Sequence, residues 1–247
     1  GLVLFVVPWG MGGVCVGCDV VVVWGLDERC DVKKTTFVLL RHGETEWNLQ
    51  GRRQGQLDSP LTALGKLQAL AAGRYLAARP AFDGVYSSDL RRASQTAQLV
   101  LGEEAGKLVL EPGLRERHLG VLQGLTVEEA GERHPEAIEA YNAPDPATPI
   151  EGGESLLEAT DRAMACLKAL AERHEGGRVL VVTHGGLLTV IFKRVVGVPL
   201  GVRRRFHAPN ASIHRIGVAQ DGRFELLSWC GTEHLEGLNQ HVLDVPL

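Results

Sequence analysis

Leu40-Arg41-His42-Gly43-Glu44-Thr45 and Thr183-His184-Gly185-Gly186 decide how this 247-residue chain is read. A short apolar, β-branched run precedes each: Thr36 to Leu40 before the first, Arg178 to Thr183 before the second. Runs of this kind, bounded by polar glycine-containing loops, read as buried strands. Both strands then end at a His-Gly pair. Sites in open α/β sheets form beyond the carboxyl ends of the strands. A lone strand-end histidine is more often a satisfied structural residue. Two in the same topological position, with Arg41 beside the first, make a candidate site.

The neighbouring segments fit an alternating pattern. Thr62 can cap a helix reaching about Arg79, with Leu64, Leu67, Ala71 and Tyr75 near helical spacing. Gly84 to Ser87 reads as a strand, Leu90 to Val100 as a helix, and Leu108 to Leu110 as a third strand. Thr126 with Glu129 forms a capping-box pattern, followed by a short continuation to Tyr141 and a proline-rich loop from Pro144 to Pro149. Glu154 to His174 carries most of an apolar stripe and ends at Gly176-Gly177. Gly186 to Val196 reads as an apolar helix. Ile213 to Val218 and Phe224 to Trp229 flank Asp221-Gly222, a hairpin signal. Strands alternating with helices predict a three-layer α/β/α sandwich whose central sheet is mostly parallel with an antiparallel edge.

Bulk properties agree with one large α/β domain. The chain is 45% hydrophobic and 23% charged, and a formal net charge of -4 leaves no footprint for nucleic acid or an anionic membrane. Five sparse cysteines suggest no disulfide framework, so reduced cytoplasmic thiols are expected. Residues 1–34 read as an apolar N-terminal tail or targeting remnant, and 35–247 as the domain. Gly1 to Gly25 has Asp19 as its only charge and no basic flank of the kind a secretory signal carries. Membrane association is not expected unless that tail is a targeting segment. Cys15-Val16-Gly17-Cys18 within it lacks a second pair or nearby histidines, which argues against a zinc or redox site.

From Thr35 to about Leu238 the chain resembles the histidine phosphatase superfamily, also called phosphoglycerate mutase-like. The resemblance rests first on Arg41-His42-Gly43-Glu44-Thr45 with Asn48 and Gly51-Arg52-Arg53-Gln54-Gly55. Asp58-Ser59-Pro60-Leu61-Thr62, Ser88-Asp89-Leu90-Arg91-Arg92-Ala93 and Leu114-Arg115-Glu116 follow in order. Gly152-Gly153-Glu154-Ser155 and Thr183-His184-Gly185-Gly186 complete it.

That resemblance implies roles which elementary chemistry favours independently. A phosphate ester repels nucleophiles, so its pocket must be cationic. Arg41 and Arg92 can each offer a fork of donors to phosphate oxygens. His184 can donate to a third oxygen, Asn48 fits as a neutral donor, and Gln54 is expected to touch phosphate or leaving group. Gly55 and Gly185 belong to the substrate-binding set. His42 is expected to attack phosphorus through a neutral ring nitrogen, its other nitrogen held as N–H by an acceptor, often a backbone carbonyl. Glu116 is expected to protonate the leaving oxygen and then activate water.

Rivals exist for several of these residues. Arg91 adjoins Arg92 but points elsewhere on a helix. Glu111 and Glu44 compete with Glu116, although Glu44 fits better as a brace of its loop. Arg203-Arg204-Arg205 reads as a solvated turn. His118, His207, His214 and His234 lack metal-ligand spacing, so no metal or other cofactor is implied. The favoured function is metal-independent hydrolysis of a small phosphorylated metabolite, phosphoserine or a sugar phosphate, through a phosphohistidine. A cofactor-dependent phosphoglycerate mutase is the first alternative, disfavoured by the short link from Gln123 to Gly152. A non-catalytic protein-binding member of the fold is the second, disfavoured because every core residue is present.

Overall fold

A computed structural model of the chain describes residues 34–238. The apolar tail and its Cys-x-x-Cys pair lie outside the described residues.

Strand β1 (Thr35–Arg41) sits inside a six-stranded sheet of order β3-β2-β4-β1-β5-β6. It pairs in parallel with β4 (Arg178–Thr183) and antiparallel with β5 (Ile213–Val218). Strand β2 (Gly84–Ser87) runs parallel to β4, and β3 (Val109–Leu110) runs parallel to β2. Strand β6 (Phe224–Gly231) closes the other edge antiparallel to β5. The connecting turn carries Gly222 at φ +80, a conformation glycine adopts without steric cost.

A short helix, α1 (Glu46–Leu49), follows β1 and is capped by Thr45. Both faces of the central strands are buried, so their side chains alternate between two cores. Phe37, Leu39, Val179 and Val181 pack on one face with α6 (Leu156–Arg173) and α7 (Gly185–Val196). Val38, Leu40, Leu180 and Val182 pack on the other with α2 (Ala63–Ala77) and α3 (Arg91–Leu101). This is the expected three-layer sandwich. Leu39, Leu40 and Leu180 are fully buried, and truncating one to alanine would cost about 2–5 kcal/mol.

The helix ends follow the sequence. Thr62 caps α2 by accepting the Gly65 amide at 2.9 Å, and Ser155 with Glu158 forms a capping box on α6. The buried face of α2 differs from expectation in part. Ala71 is buried as expected and Leu64 and Tyr75 are half-buried, but Leu67 is 50% exposed, and Gly65, Gln68, Ala69, Ala72 and Leu76 also face inward. The cause is close approach: a Cβ on Gly65 would lie 2.0 Å from the Glu44 carbonyl oxygen. The short link after Gln123 folds as α4 (Val127–Arg133) and α5 (Pro135–Tyr141). Pro135 separates them, because it lacks an amide hydrogen yet suits a first helical turn.

Candidate active site

The parallel register pairs Arg41 with Thr183. His42 and His184 are the next residues on each strand, so the ladder itself brings the two histidines together. Their ring centroids lie 5.3 Å apart, tilted by 56°. His42 is 3% exposed, and its Nδ1 lies 2.7 Å from the Gly43 carbonyl oxygen. A carbonyl only accepts, so Nδ1 carries the proton and Nε2 keeps its lone pair. Burial, then Arg92 and Arg41, hold this imidazole well below its usual range, outweighing the Gly43 hydrogen bond. The His42 carbonyl is fixed by two donors, the Ala211 amide at 3.2 Å and Asn210 Nδ2 at 3.1 Å.

A cavity of about 570 Å³ opens over these strand ends. Arg41, His42, Asn48, Gln54 and Gly55 line it, as do Arg92, Glu116 and Gly185. His184 is in contact range of His42 but is fully buried and does not line the cavity. Neither of its ring nitrogens has a hydrogen-bond partner among the described residues. Burial and then Arg92 keep it well below the usual imidazole range, so the ring is neutral near pH 7.

Arg92 is the most enclosed cation among the described residues, at 1% exposure. Nη2 donates to the Gly55 carbonyl at 2.6 Å, and Nη1 donates to Leu57 O at 2.7 Å and Asp58 Oδ1 at 3.0 Å. Arg91 is exposed, as its helical position predicts. Gly55 adopts φ +54, and a Cβ there would lie 2.3 Å from Gln123 Oε1. Asn48 Oδ1 accepts from the Thr45 amide, Thr45 Oγ1 and Asn210 Nδ2, so its amide nitrogen is the donor left for a ligand. Gln54 Nε2 donates to Thr45 Oγ1 at 2.8 Å.

Glu116 is half-buried on the same wall. Its Oε1 accepts the Arg117 amide at 2.9 Å and its Oε2 the Gly186 amide at 2.8 Å. Glu44 is instead committed to Thr62 Oγ1 at 2.8 Å, and Glu111 to the Gly113 amide at 2.9 Å. Of the three glutamates, Glu116 lines the cavity and Glu44 and Glu111 do not. Among the described residues no group of three or more His, Cys, Asp or Glu side chains could hold a metal ion.

Several wall and support residues were not singled out by sequence. Arg162 donates to the Gly113 and Arg115 carbonyls at 2.9 Å and binds Glu154 through Nε and Nη2, both at 2.9 Å. It ties the Glu116 segment to α6. A lone arginine inside the apolar pattern of that helix was the available signal. Arg53, Arg117, Tyr141 and Arg204 also line the cavity, as does Arg203. Arg203 and Arg205 are exposed, as expected of the triplet, while Arg204 is half-buried.

The pattern of the histidine phosphatase superfamily (branch 1) matches residues 37–232. The chain is 38% identical over 217 residues to a metal-independent phosphoserine phosphatase of Arabidopsis thaliana, covering 87% of this chain and 89% of that protein. Among solved structures, Bacillus stearothermophilus YhfR superposes with a TM-score of 0.76 at 34% identity, covering 82% of this chain and 100% of YhfR. A phosphoserine phosphatase from Entamoeba histolytica, in complex with 3-phosphoglyceric acid, gives 0.72 at 28% identity over 81% and 99% of the two chains. Motif order, strand register and these similarities agree: the chain belongs to the histidine phosphatase superfamily, branch 1.

Proposed function

We propose that His42 is the nucleophile of a metal-independent phosphomonoesterase acting on a small phosphorylated metabolite, with phosphoserine and sugar phosphates as the leading candidates. As a member of this superfamily the chain is an enzyme that hydrolyses phosphate monoesters. The observation that carries the residue assignment is His42 itself: a neutral ring with Nδ1–H on the Gly43 carbonyl, in the field of Arg92 and Arg41.

In this reading Arg41, Arg92, Asn48 and Gln54 hold the phosphoryl oxygens, with the Gly55 and Gly185 backbones close to the ester. His184 is the further donor expected for a phosphoryl oxygen, and because its buried ring stands behind His42, outside the cavity lining, that contact needs a small shift of the ring when the ester binds. His42 Nε2 attacks phosphorus, the P–O ester bond breaks, and Glu116 in its acid form protonates the departing oxygen. Water then attacks the phosphohistidine and gives its proton to the Glu116 carboxylate. The P–N bond breaks, releasing inorganic phosphate and neutral His42. The carbonyl of Gly43 keeps the ring in one tautomer throughout.

No helix among the described residues is long and apolar enough to cross a membrane. The proposal takes the compartment as cytoplasmic, in keeping with sparse cysteines and with Cys166, whose thiol burial pushes up to about 12.

The test is a panel of phosphoserine, phosphoglycerates and sugar phosphates, run with the wild type and His42→Ala. His42→Ala should abolish both hydrolysis and acid-labile labelling by a phosphoryl donor. Exhaustive chelation should leave the wild-type rate unchanged. Labelling that survives in His42→Ala would remove His42 as the nucleophile.

A further inference from the structure

The cavity extends beyond the residues that the proposed chemistry uses, and there the wall is strongly basic. Arg53 is 7% exposed, yet its Nε and Nη1 are buried with no hydrogen-bond partner among the described residues. Its backbone is pinned: the Arg53 amide donates to Leu125 O at 2.9 Å, and the Arg53 carbonyl accepts the Gly124 amide at 2.7 Å. The guanidinium lies 5.1 Å from the Tyr141 ring centroid, and that of Arg117 lies 5.6 Å from the same ring. Arg203 and Arg204 reach the wall from the loop after α7.

The nearby charges do not cancel. Arg52 is neutralised by both oxygens of Glu129, and Lys193 is committed to the Leu200 and Val202 carbonyls. Among the described residues Arg53, Arg203 and Arg204 make no ion pair with a carboxylate, and Glu128, which feels the Arg53 charge, does not line the cavity. Glu116 is the one acidic side chain among the described lining residues, and it is engaged with the Arg117 and Gly186 amides. A packing role alone does not account for Arg53. A cation–π contact contributes about 0.5–2 kcal/mol. Each buried donor left unmade costs about 1–3 kcal/mol. Arg53 lines the cavity, so an anion there would face a guanidinium whose charge no ion pair among the described residues neutralises.

We propose that Arg53, with Arg203 and Arg204 beside it, forms a second anion subsite that receives the carboxylate or second phosphate of a doubly anionic phosphoester. This rests on the phosphatase reading and narrows it. The subsite would hold the far end of the substrate while His42 acts on the near end, so its contribution should appear mainly in KM.

The experiment compares kcat/KM for glycerol 3-phosphate, 3-phosphoglycerate and propane-1,3-diol bisphosphate, with p-nitrophenyl phosphate as an activated ester lacking a second anion. Wild type should prefer at least one doubly anionic ester over glycerol 3-phosphate by tenfold or more. A preference for 3-phosphoglycerate identifies a carboxylate site, and one for the bisphosphate identifies a phosphate site. Arg53→Met should shrink that ratio towards one, chiefly through KM. A wild-type ratio near one, or a ratio unchanged in Arg53→Met, overturns the subsite. If Arg53→Met does not fold, the wild-type ratio and the same comparison in Arg204→Met decide. Absence of hydrolysis of every ester, p-nitrophenyl phosphate included, would instead overturn the phosphatase reading on which the subsite rests.

Discussion

Glu116 and Gly186 are fitted to each other. The Gly186 amide donates to Glu116 Oε2 at 2.8 Å, and a Cβ on Gly186 would lie 2.5 Å from Glu116 Oε1. The first turn of α7 therefore both holds the carboxylate and leaves the space it occupies.

Gly186→Ala should displace Glu116 without unfolding the protein, because Gly186 has ordinary helical geometry and alanine favours helices. If Glu116 is the acid, kcat for alkyl phosphates should fall roughly tenfold or more, and less for p-nitrophenyl phosphate, whose leaving group needs less protonation. Equal slowing on both substrates would count against Glu116 as the proton donor.

Asp58 does two jobs from outside α3. Leu90, the residue before the helix, offers no side-chain cap. Asp58 accepts the Arg91 amide at 2.8 Å and the Arg92 amide at 3.3 Å, while Oδ1 binds the Arg92 guanidinium. Asp58→Ala removes a cap worth about 1 kcal/mol. It also strips a buried arginine of its ion-pair partner, which can cost about 3–5 kcal/mol. Urea unfolding should show a loss of at least 1 kcal/mol by the capping term, and KM should rise. A wild-type unfolding midpoint would refute this account of Asp58.

Much of this was legible in sequence because strands buried on both faces are written as continuous apolar runs. Once β1 and β4 were read, the paired His-Gly ends followed. The link to Tyr141 was readable from Thr126 and Glu129. The inward face of α2 was legible at Ala71 but not in full, since the pattern weighs large side chains while packing also selected Gly65, Ala69 and Ala72. Nor was the basic wall. A charged loop residue such as Arg53 reads as solvated, and only the tertiary closure of Tyr141 and the Gly124–Leu125 backbone over it makes it buried. Glu116 was nameable by motif, but its Gly186 partner follows from spatial contact across 70 residues.

Buried neutral histidines make the protein acid-sensitive. His214 accepts the Cys230 amide on Nδ1 at 3.0 Å, so Nε2 carries the proton and meets Ser212 Oγ at 2.9 Å. Burial, with Arg41 secondary, lowers its pKa from 6.5 to about 3. The unfolded chain takes up a proton below 6.5 while the folded one does not. The neutral ring's contribution is thus complete above 6.5 and declines as pH falls towards about 3, by about 1.4 kcal/mol per pH unit. His214→Gln should flatten the pH dependence of stability between pH 7 and 5, measured by urea unfolding; parallel curves would exclude His214. His42 is also depressed, so the acidic limb of kcat/KM due to His42 should lie well below pH 6.5.

Water, and not a second hydroxyl, should be the main acceptor of the phosphoryl group. The covalent half-reaction assigned to Arg41, His42, Arg92 and His184 would serve a mutase equally well. The difference lies in what covers the cavity. A mutase must retain its phosphorylated intermediate and exclude water while that intermediate turns over. The connection between Glu116 and Glu154 supplies α4, α5 and the proline-rich loop, and it reaches the cavity with Tyr141, Asn142 and Ala143. Those elements form their own small core around Leu122, Ala130, Ala137 and Ile150, which ties them to the fold and leaves no long free lid. 3-Phosphoglycerate should therefore yield inorganic phosphate much faster than 2-phosphoglycerate. The measurement is a product analysis with the bisphosphorylated primer present. Isomerisation outpacing phosphate release would restore the mutase reading, and would mean that α5 and the Arg203–Arg204 loop close over the bound intermediate.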